Sequence, residues 1–179
     1  MVKAFAYGSG PLEIASLLEF HRVSYLAVAN ADEGAVLREA GITMPVIVMN
    51  PDPSASDQLI RYNLEPEIYS FSALSSFVRV AARHCLVNYP VHIKIDTGMH
   101  RLGFLPAEIK ELSVTLKSLN CIKVMSVFSH LAGSDDESLD EFTHRQADVF
   151  QNAASVIKNE LGYPFLMHLL NTSGIARFP

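Results

Sequence analysis

Hydrophobic positions along the chain switch between two periods. Short runs rich in β-branched and aromatic residues lie at Val2 to Ala6, Tyr25 to Ala29, Val46 to Met49, Glu67 to Ser70, His92 to Ile95, Val124 to Phe128 and Leu166 to Leu170. Between them apolar residues recur at helical spacing, as in Leu12, Ala15, Leu18, in Ala35, Leu37, Ala40, and in Leu74, Phe77, Val80, Ala81. A longer stretch carries Leu139, Phe142, Ala147, Phe150, Ala154, Ile157 and Leu161. Turn residues fall where the alternation needs them: Gly8-Ser9-Gly10-Pro11 opens the first helix, Pro51 and Pro53 precede the third, and Gly162-Tyr163-Pro164 ends the last. The pattern predicts seven strands in βα alternation, hence an α/β fold with a parallel sheet. No repeat, low-complexity tract or linker divides residues 1–179, which read as one domain.

Periodicity alone leaves two parallel architectures open, the eight-stranded barrel and the doubly wound open sheet. On the fifth strand His92, Lys94 and Asp96 alternate with Val91, Ile93 and Ile95, so one face is charged. On the first, Lys3, Phe5 and Tyr7 share a face opposite Val2, Ala4 and Ala6. A charge inside a parallel sheet must be paired or lie at a site, since burying a lone ammonium costs several kcal/mol. Two inward lysines are easier to place at a barrel mouth than in a single crevice. The expectation is a (β/α)8 TIM barrel, incomplete, with about seven of its eight strands.

Composition narrows the function classes. With 49% hydrophobic and 18% charged residues the chain can bury a sizeable core, and a net charge of -5 without basic clusters gives no footprint for nucleic acid or an anionic membrane. Cys85 and Cys121 are too few for a disulfide framework and lack zinc or redox spacing, which fits a reducing cytoplasm. The N-terminal residues do not read as a secretory leader, and no apolar run is long enough to span a bilayer. A small-molecule enzyme is the reading that survives.

Several residues carry candidate chemistry. Lys3, if desolvated, suits a Schiff base with an aldehyde cofactor. Gly8-Ser9-Gly10 before a helix suits an anion, but Glu13 and Asn30 stand where the dinucleotide fingerprint needs a small residue and an acid. Arg101, in the loop after the fifth strand, can clamp a carboxylate or phosphate. His130 and Asn171 end the sixth and seventh strands, where barrel enzymes keep their sites. The seven histidines lack any metal-ligand spacing.

Taken together, Val2-Lys3-Ala4-Phe5-Ala6-Tyr7-Gly8, the run from Lys94 through Asp96-Thr97-Gly98 to Arg101-Leu102-Gly103-Phe104, Ser129-His130-Leu131-Ala132, and His168-Leu169-Leu170-Asn171-Thr172-Ser173-Gly174 resemble bacterial alanine racemase. The resemblance implies that Lys3 holds pyridoxal 5'-phosphate as an aldimine and serves as one of two opposed bases. Tyr7, Asn171 and Thr172 would contact the phosphate, Arg101 the cofactor phenolic oxygen and the substrate carboxylate, and His130 would sit beside the pyridine ring. It further implies a carbamylated Lys94 that orients Arg101. The implied activity interconverts L- and D-alanine for cell-wall peptidoglycan, in a homodimer whose partner subunit completes the site.

Phe5, Ser9 and Thr172 depart from the family's usual Asn or Asp, His and Ser. Phe5 to Gly10 with Glu67-Ile68-Tyr69-Ser70 is similar to racemase halves fused behind a cell-wall ligase. The family also carries a leading helix, an eighth strand with an arginine for the pyridine nitrogen, and a β-rich domain bearing the second base. These residues contain none of them, so the expectation is a barrel domain truncated at both ends and inactive alone; a complete barrel runs to about 250 residues. A same-fold pyridoxal-phosphate decarboxylase and a non-catalytic carrier of the same cofactor stay open as alternatives.

Overall fold

A computed structural model describes residues 1–178. It contains six strands, β1 (Leu26–Val28), β2 (Val46–Val48), β3 (Glu65–Ile68), β4 (Tyr89–Lys94), β5 (Ile122–Phe128) and β6 (Leu166–His168), all parallel and hydrogen-bonded in the order β1-β2-β3-β4-β5-β6. Sequential order settles what periodicity left open. A doubly wound sheet reverses direction at a switch point, whereas strands that always join their successor on the same side curl toward a barrel. The result is an incomplete barrel, α/β as the alternation predicts.

The helices follow their sequence signals. They are α1 (Lys3–Tyr7), α2 (Pro11–Phe20), α3 (Ala31–Glu39), α4 (Ser56–Arg61), α5 (Phe71–Arg83), α6 (Ile109–Ser118), α7 (Asp140–Leu161) and α8 (Thr172–Arg177). In α5 the buried residues are Leu74, Phe77, Val80 and Ala81, the predicted stripe, and Ser70 caps its start by accepting from the Ala73 N–H at 3.2 Å. Asn30 caps α3 in the same way from Glu33 N. Gly162 ends α7 in the left-handed region, φ 73°.

The predicted first strand is the main correction. Ala4, Phe5, Ala6 and Tyr7 have φ between 50° and 56°, so α1 is a single left-handed turn. Only Val2 extends the sheet, donating to Ala27 O at 2.8 Å. Alternation over five residues misled because the turn still buries Val2 and Ala6 while exposing Phe5 and Tyr7. Left-handed backbone costs about 1–2 kcal/mol per non-glycine residue and persists only where its surroundings hold it.

The concave face of the sheet is polar, and it is paired across strands. His92 Nε2 lies 2.8 Å from Glu65 Oε2 on β3 and its Nδ1 2.7 Å from Ser126 Oγ on β5, while Ser126 Oγ lies 3.2 Å from His168 Nε2 on β6. One step toward the C-terminal ends, Lys94 Nζ lies 3.1 Å from Glu67 Oε1 and 5.6 Å from the centre of the Phe128 ring. The opposite face packs Val91, Ile93, Ile95, Val124 and Val127 against the helices.

β6 is exposed at all three of its residues, and Leu166, Met167, Leu170 and Ile175 leave apolar surface at that edge. Open strands and exposed apolar groups invite pairing with another chain. The polypeptide 1–179 made alone is therefore expected to self-associate, and Leu166→Lys, at a position 53% exposed, to lower its apparent mass in light scattering. A monodisperse monomer that the substitution leaves unchanged would contradict the open-edge account.

Candidate active site

Most residues singled out from the sequence lie at or beyond the C-terminal strand ends, and of these the Lys94 and Asn171 side chains have direct partners. Lys3 is positioned from both sides. Val2 N–H is tied to β1, and Ala4 N–H donates to Glu33 Oε1 at 2.9 Å. The other Glu33 oxygen accepts from Ala29 N at 2.7 Å, so one carboxylate in the first turn of α3 joins the left-handed turn to the end of β1. Sequence reasoning missed Glu33; its only signal was an acid in a capped first turn. Lys3 is half-buried, and Tyr7 is 69% exposed on the same segment.

Beyond β4 the chain makes a closed loop over residues 97–103. Asp96 Oδ1 accepts from the N–H groups of Gly98 (2.9 Å) and His100 (3.0 Å), and Oδ2 lies 3.2 Å from His100 Nδ1. Burial pushes the Asp96 carboxyl up, but the two backbone N–H groups and His100 outweigh it and hold it below its ordinary value. The loop returns beside its own strand: Phe104 N donates to Lys94 O and Asp96 N to Phe104 O, each at 2.9 Å. At Gly103, φ 131°, a Cβ would lie 2.4 Å from Asp96 N, so only glycine closes the loop. Arg101 is exposed near its tip.

His130 follows β5. Burial first, then the charges of Arg101, Lys94 and Lys3, hold its pKa below the ordinary 6.5, so it is neutral at pH 7. The charges of all three cations bear on this imidazole, at the same end of the sheet as Lys94 and the loop that carries Arg101. The ion pairs of the described residues include Lys94 with Glu67 but neither Lys3 nor Arg101. Lys94 is thus met by Glu67.

Gln146 of α7, fully buried and also missed from the sequence, braces two strand ends. Its Nε2 donates to Thr97 Oγ1 and His130 O, each at 3.1 Å, and its Oε1 accepts from Ala132 N at 3.0 Å. Asn171 caps α8: its Oδ1 accepts from Gly174 N (2.9 Å) and Ser134 Oγ (2.7 Å), and its Nδ2 donates to Leu131 O (3.3 Å). Its amide is occupied in shaping the turn, and Thr172 beside it is exposed. A hollow lined by Asn88, Lys117 and Tyr163 lies at the opposite end of the sheet and brings none of these groups together.

Sequential parallel strands with cationic and polar groups at their C-terminal ends define the catalytic-barrel class of α/β proteins. The family described as alanine racemase, N-terminal domain, matches residues 1–179. An alanine racemase of Cutibacterium acnes is 38% identical over 177 residues, covering 97% of this chain and 47% of the relative, and one of Treponema denticola is 35% identical over 181 residues. A solved alanine racemase of Clostridium difficile superposes with TM-score 0.88 at 33% identity, covering 97% of this chain and 48% of that one. This chain belongs to the alanine racemase N-terminal domain family. It spans about half the length of the curated relatives it matches.

Gln146→Leu keeps the volume but leaves buried partners at Thr97, His130 and Ala132 unmet, at about 1–3 kcal/mol in denaturant unfolding; an unchanged midpoint would remove Gln146 from the brace. His168 is exposed as a residue, but its ring stacks on Phe128 at 4.7 Å and its Nε2 faces Ser126 Oγ at 3.2 Å; this enclosure of the ring first, and the His92 charge second, lower its pKa to about 4 from 6.5. The folded state prefers neutral His168, so its contribution to stability is present above pH 6.5 and is lost as pH falls toward 4. His168→Asn should flatten the stability profile across that window, and an unaltered slope would rule out His168 as its source.

Proposed function

We propose that this chain is the cofactor-holding part of a racemase that interconverts L- and D-alanine, with pyridoxal 5'-phosphate on Lys3. The observation that carries the reading is the family match over residues 1–179, supported by the placing of Arg101 and His130 in the segments that follow β4 and β5. The residues fit an anionic cofactor, because Lys3 and Arg101 bring positive charge that no ion pair of the described residues takes up. When bound, pyridoxal phosphate draws electrons from the substrate and makes its Cα–H acidic.

Each residue then has a task. Lys3 carries the cofactor and exchanges a proton with one face of Cα. Its backbone is held on both sides, at Val2 and Ala4, so the side chain starts from a fixed point. Arg101 binds the substrate carboxylate and the cofactor phenolic oxygen, and the loop closed at Gly103 sets its height. A neutral His130 adds no charge beside the ring. The Tyr7 and Thr172 hydroxyls, exposed on either side, contact the phosphate, with Asn171 shaping the turn that presents Thr172.

Racemisation needs a proton acceptor on both faces of Cα. Lys3 serves one face, and the partner subunit of a homodimer supplies the other. One solved relative is a complex with cycloserine, a small molecule, which agrees with a small amino-acid substrate such as alanine. Two free cysteines and the absence of any membrane-spanning helix among the described residues support a cytoplasmic role in supplying D-alanine for cell-wall peptidoglycan, with fusion to a cell-wall ligase as one gene arrangement.

Borohydride treatment of the whole protein loaded with pyridoxal phosphate should attach the cofactor to the peptide containing Lys3. Lys3→Ala should lower racemisation of L-alanine by at least about 10² to 10⁴-fold. Label on Lys94, or near-normal turnover in Lys3→Ala, would overturn the assignment.

A further inference from the structure

We propose that Glu67 is the built-in counter-anion of Lys94, keeping Lys94 as an unmodified ammonium and excluding the carbamate that the family resemblance implies. Lys94, Glu67 and Phe128 occupy three adjacent strands of the same sheet, where Lys94 pairs with Phe128 and Glu67 with His92 in register. The Glu67 side chain is 1% exposed and that of Lys94 7%. One Glu67 oxygen accepts from Asn50 N at 2.6 Å, which pins the carboxylate to the end of β2. The other has no hydrogen-bond partner among the described residues, and Lys94 Nζ, 3.1 Å away, is its neutralising group.

Carbamate formation reverses the charge at that point. The Nζ lone pair bonds to the carbon of CO2, one C–O π bond opens, two protons leave to solvent, and a cation becomes an anion. Glu67 Oε1 would then face a second anion in a buried layer with no donor of its own, a placement that proteins avoid. Phe128 argues the same way independently. Its ring face, 5.6 Å from Nζ, carries the negative part of the aromatic quadrupole and attracts an ammonium but repels a carboxylate. A fixed glutamate one strand away thus neutralises the β4 lysine from within the sheet, without dependence on bicarbonate.

The test is 13C NMR of the whole protein in 13C-bicarbonate, read without turnover so that it stands apart from the cofactor assignment. Wild type should show no carbamate resonance. Glu67→Gln, which keeps an oxygen for Asn50 N and offers an N–H to a carbamate, should gain one that Glu67→Gln with Lys94→Arg lacks. A wild-type resonance that disappears in Lys94→Arg overturns the proposal, as does a folded Glu67→Gln variant without any resonance. Should Glu67→Gln not fold, thermal melting decides. Lys94→Met strands a buried carboxylate and should melt lower than the Lys94→Met, Glu67→Met double variant; the reverse order overturns the ion pair.

Discussion

The structure depends on cross-strand pairing of charge on the concave face of a parallel sheet. A curled sheet turns alternate side chains inward, and here the inward positions of β3 to β6 include Glu65, Glu67, His92, Lys94, Ser126 and His168. None is tolerable there alone. Across the strands they become two rows of partners, Glu65–His92–Ser126–His168 and Glu67–Lys94–Phe128, in which His92–Ser126 and Lys94–Phe128 are registered pairs and the other contacts run diagonally to a residue two places along. A one-residue slip would send every member to the apolar side, so the polar rows fix strand register as firmly as the hydrophobic core does. They also lead directly to the site, because the residues after them, Asp96 to Arg101 and Ser129 to His130, continue the same strands.

Much of the fold was legible because the period change from two to about 3.6 marks each βα unit, and the end of the last long helix at Gly162 is a local event. The amino-terminal segment was not. Lys3, Phe5 and Tyr7 alternate as a strand does, yet the turn is dictated by what holds it, namely Ala27 O and Glu33, some 25 to 29 residues away in sequence. Pattern reading sees neighbours along the chain and is blind to a tether of that length.

The site divides along the same line. Lys3, Lys94, Arg101, His130 and Asn171 could be singled out because each stands at a recognisable strand end or in a motif. Glu33, Glu67 and Gln146, which position them, carry no local signal. Glu67 sits among strand residues and Gln146 on a helix stripe, and each takes its meaning from a partner on another element. The carboxylate that meets Lys94 comes from the adjacent strand and not from its own, so no local pattern announces it.

Non-glycine residues at positive φ occur in both segments that carry the cations, Ala4 to Tyr7 beside Lys3 and His100 beside Arg101, while Arg22, Asn50, Asn63, Cys85 and Asn88 adopt it elsewhere. At these non-glycine positions such backbone is costly, and it is held by rigid neighbours: Glu33 on one side, Asp96 on the other. Two cationic side chains are thereby aimed by backbone geometry, so neither needs a counter-ion to place it, and an anionic ligand meets positive charge already in position.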